Sequence, residues 1–174
     1  MTGGFGLAVT PPRGFTAAIR RRPVPVGATG DAPADGARTR ALVDTPHPVV
    51  HVATIALPEE RGDFGGGVLP ALGRDDVFVA LVEYDASLAD TGLFAKVGMP
   101  RLAPSQFGFE RMPRQLPPRS ACQHFFSLGG RAFCLFTVIG DHSRRMALVP
   151  RAAEVVRTLR VTDADTLRRL GGMP

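Results

Sequence analysis

Two apolar segments separated by Gly129-Gly130 constrain the fold of this chain more than any other feature. The segments are residues 122–128 and Arg131–Ile139, and each has the length of a strand rather than of a membrane span. Two glycines between such segments are typical of a tight β-hairpin, because both central residues of its turn need positive φ angles. We therefore predict an antiparallel hairpin in the second half of the chain.

Three further segments have the composition of strands. Residues 15–22 carry alternate apolar residues, and residues 49–57 are rich in β-branched side chains. The third segment, Val77–Tyr84, is apolar on both faces until Glu83. A strand of this kind belongs in the middle of a sheet that is covered on both sides, so we place Val77–Tyr84 there.

The last part of the chain has the pattern of helices. Residues 150–159 carry an apolar stripe at helical spacing, and Pro150 suits the first turn of a helix. A second, short helix is predicted from Thr162, with Asp165 in the capping-box position. Residues 86–96 have a weaker helical pattern. The predicted fold class is therefore α+β: a mainly antiparallel sheet with a C-terminal helix packed on one face.

The domain organisation follows from composition. The 174 residues suffice for one domain with a buried core. We predict a flexible N-terminus over residues 1–12, a single α+β domain over 13–161, and a short helical tail over 162–174. Prolines and glycines concentrate in residues 23–46, which indicates an insertion within the domain.

Charge and cysteine content limit the partners. The net charge is +5, and the basic residues gather near both ends of the chain. We interpret these ends as solvated, with an anion- or nucleic-acid-binding role as the alternative. Nucleic-acid binding is not expected, because the chain has one tyrosine and no tryptophan to serve as stacking platforms. Cys122 and Cys134 lie in apolar segments and are expected as buried free thiols, with a disulfide left open.

No segment reaches the length of a transmembrane helix, and the first residues lack the basic and apolar regions of a secretory signal. We therefore predict a cytoplasmic protein with no membrane partner.

The sequence offers no catalytic or metal-binding constellation. His47 and His51 are four residues apart, which on a strand separates them by about 13 Å, too far for two ligands of one ion. Residues 141–143 supply Asp, His and Ser contiguously, whereas a triad is assembled from distant segments. We predict no catalytic residues, no metal site and no cofactor.

Binding is the function that the sequence favours. The candidate surface is the loop at residues 61–67, with Arg61, Asp63 and Phe64, together with the proline-rich residues 97–120. We predict a non-enzymatic protein-binding or adaptor domain, with self-association left open. The alternative is a small-molecule-binding domain or small enzyme, with a pocket that is formed by His124, Cys134 and Arg131.

Several motifs carry a resemblance. They are RGDFGGG at residues 61–67, DVFVALVEY at 76–84, LFA at 93–95, GRAFCLFTVIG at 130–140 and PRGF at 12–15. From Pro12 to Val161 the chain resembles a family of uncharacterised proteins of high-GC bacteria, which implies a domain but no reaction. The order of strand, hairpin and terminal helix also resembles the PsbP-like sandwich. Most proteins with that fold bind other proteins, so this resemblance implies a protein partner.

Overall fold

The computed structural model describes residues 1–21, 47–112 and 114–171, so the insertion predicted at 23–46 lies outside the described residues. These ranges contain two sheets and two α-helices. The strands are β1 (Thr2–Gly4), β2 (Leu7–Val9), β3 (Thr16–Arg21), β4 (Pro48–Ala53), β5 (Val77–Tyr84), β6 (Ser120–Leu128), β7 (Arg131–Ile139) and β8 (Arg160–Val161). The helices are α1 (Arg145–Thr158) and α2 (Ala164–Gly171).

The larger sheet has five antiparallel strands in the order β3-β4-β5-β7-β6. Strand β5 is central and buried along its whole length, as the apolar character of both its faces predicts. The hairpin between β6 and β7 turns at Gly129 (φ 60°) and Gly130 (φ 70°), with Leu128 opposite Arg131. The fold class and the hairpin predicted from sequence are confirmed.

The two faces of this sheet are covered differently. Helix α1 and strand β2 pack on one face, where Val155 and Ala152 of the helix join Leu81 and Leu135 of the sheet in one apolar cluster. Irregular segments between the strands cover the other face, where Phe64 and other loop residues meet apolar residues of β5 and β7. The helix therefore packs on one face, as predicted, and the loops provide the second cover that the apolar character of β5 requires.

The N-terminal residues are ordered strands rather than the flexible segment that their glycine content suggested. Strands β1 and β2 form a hairpin, and β2 also pairs with β8 near the end of the chain. Leu7 and Val9 are buried in the cluster beneath α1. The local sequence has little preference for strands here, but burial of these two side chains stabilises them, because a fully buried Leu or Val contributes about 1.5–3 kcal/mol.

Helix α1 begins five residues before the predicted start at Pro150. The side chain of Asp141 accepts a hydrogen bond of 2.8 Å from the backbone N–H of Ser143 and so begins a helical turn ahead of α1. Pro150 consequently lies inside the helix and is exposed to solvent. Its missing N–H is tolerated there at a cost, because the buried stripe of the helix holds the chain in place.

Two smaller helical predictions are also corrected. Asp163 rather than Thr162 caps α2, and its carboxylate accepts a bond of 2.8 Å from the N–H of Thr166. The segment at 86–96 forms two short 3₁₀ turns instead of a helix. Asp90 (φ 61°), between these turns, and Gly92 (φ 52°), at the start of the second, have positive φ angles, which a regular right-handed helix does not contain.

Candidate functional site

The predicted binding loop at residues 61–67 lies against the sheet with its key side chains buried. Arg61 is 8% exposed, Asp63 is 0% exposed and Phe64 is 7% exposed. The ring of Phe64 meets that of Phe136 edge-on, with 5.6 Å between their centroids. These burial values correct the expectation that the three side chains form an exposed recognition surface.

Hydrogen bonds fix this loop to strand β4. The Nε–H of Arg61 donates to Nδ1 of the buried His51 at 3.0 Å, and the Nη1 of Arg61 donates to the carbonyl of Pro58 at 2.6 Å. Because Arg61 can only donate, Nδ1 of His51 accepts, and its Nε2–H donates to the carbonyl of Asp63 at 2.8 Å. The carboxylate of Asp63 also lies 3.5 Å from a guanidinium nitrogen of Arg20. The loop therefore has a structural role that the sequence motif did not indicate.

Burial of the loop also changes the pKa of Arg61. Loss of water around the Arg61 guanidinium, together with the nearby positive charge of Arg20, lowers the pKa of Arg61 from its ordinary value. Arginine stays protonated at neutral pH despite such a shift, because its unperturbed pKa exceeds 12. Arg61 therefore remains a hydrogen-bond donor that anchors the loop through His51.

Arg131, predicted as a pocket residue, instead connects the two sheets. Its guanidinium donates two hydrogen bonds of 2.7 Å to the carboxylate of Glu83. It also donates to the carbonyls of Phe5 at 3.1 Å, Gly6 at 3.1 Å and Thr162 at 3.0 Å. Arg131 is 3% exposed, so its donors are used within the fold. The side chain ties the N-terminal hairpin and the segment after β8 to the larger sheet.

His124 and Cys134 do not form one pocket, because they belong to opposite faces of the sheet. Cys134 lies in the apolar cluster under the loops, whereas Cys122, two residues before His124 on the same strand, lies in the cluster under α1. Both cysteines are free. Burial raises the pKa of the Cys134 thiol well above its ordinary value, so this group stays neutral.

The close thiol–imidazole pair is Cys122 with His124, whose Sγ and Nε2 are 3.1 Å apart. Burial raises the pKa of Cys122 to about 11. Burial, and then the positive charges of Lys96 and Arg111, lower the pKa of His124. At neutral pH both groups are therefore uncharged, which is the opposite of the thiolate–imidazolium pair of a cysteine nucleophile.

A groove that the sequence did not indicate lies beside the C-terminal half of α1. One part of it, about 430 Å³, is formed by the side of α1 and the segment around Pro100. A second part, about 400 Å³, continues toward β8. The two parts share Pro100, Arg101, Val156 and Arg157, so we treat them as one site and name it the Arg101–Arg157 groove. The other lining residues are Met99, Leu102, Leu128, Ala153, Leu159, Arg160 and Val161.

The groove combines an apolar lining with cationic groups, and none of the described residues that line it is acidic. Arg160 is occupied, since it donates to the carbonyls of Arg157 at 2.7 Å and Leu159 at 2.8 Å at the end of α1. The guanidiniums of Arg101 and Arg157, in contrast, make no hydrogen bond or ion pair with the described part of the chain. Glu154 lies one turn before Arg157 on α1 and does not pair with it. Two exposed cations thus remain available to a ligand.

Sequence patterns held part of the signal for this groove. The proline-rich segment at 97–120 was one half of the predicted binding surface, and its residues Pro100 and Arg101 line the groove. The opposite side of the groove is formed by α1, and the sequence pattern predicts a core role for this part of the helix because Val156 belongs to its apolar stripe. Arg157 directly follows Val156. It lines a groove only because the segment around Pro100 packs beside α1.

Comparison of the chain with known protein families, with curated proteins and with solved structures finds no match. The resemblance to proteins of high-GC bacteria and to the PsbP-like sandwich therefore stays a prediction. Neither helix in the described ranges has the length and apolarity to cross a lipid bilayer.

Proposed function

We propose that this protein is a non-catalytic binding domain that recruits another protein through the Arg101–Arg157 groove. The observation that carries the proposal is the presence, beside an apolar groove, of two guanidiniums that have no partner among the residues the structure describes. Apolar contacts supply most of the affinity at such a site, and the charges select the partner and accelerate its association. The expected partner therefore presents apolar side chains next to carboxylates.

The chemistry of the thiols supports binding rather than nucleophilic catalysis. A cysteine nucleophile needs a lowered pKa, and burial moves the pKa of Cys122 in the other direction. The other residues of the predicted pocket are also committed elsewhere. Arg131 is held by Glu83, and Cys134 is enclosed by apolar side chains on the opposite face of the sheet from Cys122. The groove, in contrast, places cationic side chains that have no partner in the described ranges beside apolar surface.

The open shape of the groove favours a macromolecular partner over a small molecule. Small-molecule sites are concave and bury most of the ligand surface. The Arg101–Arg157 groove is open to solvent in both of its parts and continues from the C-terminal half of α1 to β8. A chain segment of another protein can follow such a groove over several residues, whereas a compact ligand would leave most of it empty.

The test is capture from host lysate with three forms of the protein, read by quantitative mass spectrometry with and without nuclease. The forms are the unaltered chain, the double variant Arg101→Glu with Arg157→Glu, and the control Arg13→Glu. Arg13 is exposed, does not line the groove and has no partner in the described chain. We expect one protein to be captured by the unaltered chain and the control, and to be reduced at least tenfold with the double variant.

Three results contradict the proposal. Equal capture by all three forms would show that the groove is not the binding surface. Capture that disappears with nuclease would point to nucleic acid and to the basic ends of the chain instead. An empty capture with every form would leave no support for a protein-binding function, and would favour the alternative of a small-molecule site. Circular dichroism of each variant confirms that it is folded before the comparison.

A further inference from the structure

We propose, on the basis of the binding function above, that the occupant of the Arg101–Arg157 groove is an extended acidic peptide segment that pairs with the open edge of β8. The proposal specifies both the conformation and the composition of the recognised segment. It rests on the register of β8, on the position of that strand in the groove, and on the unpaired arginines.

The register of β8 leaves one residue with its backbone groups turned away from the sheet. Strand β8 is the last strand in the order β1-β2-β8, and it pairs with β2 through Val161 opposite Leu7. The N–H of the next residue, Thr162, donates to the carbonyl of Gly6 at 2.8 Å. In an antiparallel pair, hydrogen-bonded residues alternate with residues whose N–H and C=O point outward. Val161 therefore directs both groups to the side of β8 that no described strand covers.

The residue that carries this open edge, Val161, also lines the groove. Val161 and Arg160 line it together with Leu128 and Leu159. An extended peptide that pairs with Val161 would place alternate side chains toward the floor and toward solvent, because side chains on a strand alternate between its two faces. Main-chain hydrogen bonds would then give affinity, and the apolar floor would give specificity, as in other cases of strand addition.

The arginines select the composition of the segment. The guanidiniums of Arg101 and Arg157 have no partner among the described residues, and no carboxylate lines the groove. Guanidinium binds carboxylates through two parallel hydrogen bonds, so aspartate or glutamate beside the apolar residues is the favoured match. A fatty acid would offer one carboxylate and an acyl chain, but it has no amide groups to pair with Val161.

The experiment is selection from a phage-displayed library of random linear peptides on the unaltered protein. Binding of the selected peptides is then measured by fluorescence anisotropy. We expect selected sequences in which apolar residues alternate with others, with at least one acidic residue. The best peptide should bind at least tenfold more weakly to the Arg101→Glu, Arg157→Glu double variant and unchanged to Arg13→Glu. These comparisons test the groove itself.

Methylation of single backbone nitrogens in the best peptide tests strand pairing without altering the protein. Methylation removes one N–H at a time, so pairing with Val161 predicts a loss of at least tenfold at one position and little change at the next. Peptides that depend on the arginines but tolerate methylation at every position would overturn the strand-pairing proposal and leave the binding function intact. Failure to select peptides, or peptides that are indifferent to the double variant, would overturn the peptide proposal, whereas the capture experiment decides the binding function separately. Selected sequences with helical spacing of apolar residues would also overturn the extended conformation.

Discussion

Arg131 and Glu83 form a buried ion pair with two parallel hydrogen bonds: Nε of the guanidinium lies 2.7 Å from Oε1 of the carboxylate, and Nη2 lies 2.7 Å from Oε2. Glu83 is the position where the apolar pattern of β5 breaks, and the fold uses that break to hold Arg131. The remaining donors of Arg131 reach the backbone of both chain ends that form the small sheet. A single side chain therefore joins segments that are far apart in sequence.

Removal of either partner of this pair should destabilise the protein strongly. Loss of one member of a buried pair leaves the other charge uncompensated, at a cost of about 3–5 kcal/mol in the free energy of unfolding. We expect Arg131→Ala to cost more than Glu83→Ala, because it also leaves the carbonyls of Phe5, Gly6 and Thr162 without their donor. Urea unfolding of both variants measures the difference, and a loss below about 1 kcal/mol for either would contradict the role assigned to the pair.

Two neighbouring glycines give a matched test of the loop that covers the sheet. Gly65 has a φ of +74°, and a Cβ there would lie 2.5 Å from the ring of Phe78, whereas a Cβ on Gly66 would meet nothing within 4 Å. Gly65→Ala should therefore lower the free energy of unfolding by about 1–3 kcal/mol. Gly66→Ala should change it by no more than about 1 kcal/mol. Equal effects of the two substitutions in thermal unfolding would show that the loop does not pack closely on the sheet.

The stability of the protein should fall in mild acid because of His124. The pKa of His124 in the folded state lies below its ordinary value of 6.5, chiefly because burial disfavours the charged ring. The unfolded chain therefore takes up a proton more readily, and stability is lost as the pH falls below about 6.5. We expect His124→Gln to make the unfolding free energy less dependent on pH between about 6.5 and 5. If the unfolding free energy of this variant depends on pH as steeply as that of the unaltered protein, His124 is not the group responsible.

The thiol of Cys122 should be unreactive in the native protein. Burial raises its pKa from 9.0 to about 11, so the thiolate fraction at neutral pH falls about a hundredfold, and restricted access of the reagent slows labelling further. Labelling with a thiol-specific disulfide reagent at pH 7.5 should be slower than in guanidinium chloride by at least this factor. The variant Cys134→Ser isolates Cys122 in this assay. Rapid labelling of the folded variant would indicate an activated thiol and would favour the enzyme hypothesis.

The alkaline side of the stability profile gives a second measure of the same thiol. Because the folded pKa of Cys122 is higher than its unfolded value, its contribution is present below pH 9.0 and is lost as the pH rises toward about 11. Cys122→Ala should reduce the loss of stability over this interval. Urea unfolding at several pH values tests the prediction, and identical profiles for the unaltered chain and the variant would contradict it.

Sequence patterns predicted the elements that depend on local apolar periodicity. Val77–Tyr84 and Arg131–Ile139 form strands with the predicted bounds, and Gly129-Gly130 makes the turn. The predicted start of α1 at Pro150 was wrong because the 3₁₀ turn that Asp141 caps leads directly into the helix at Arg145. Capping depends on a side-chain hydrogen bond, and residue pattern alone did not distinguish the two starts.

The sequence by itself determined the fold class, the central strand and the burial of both cysteines. These properties follow from apolar pattern and turn residues, which act over a few neighbouring positions. Only the tertiary structure decided which polar side chains are buried, which are paired and which face the groove. It buried the side chains of Arg61, Asp63 and Phe64, and it joined Arg131 to Glu83. It also placed Arg101 and Arg157 beside an apolar groove, without a partner in the described ranges. The reason is that each of these outcomes depends on contacts between distant segments, such as Gly98 bonding to Ser127, which no local pattern encodes.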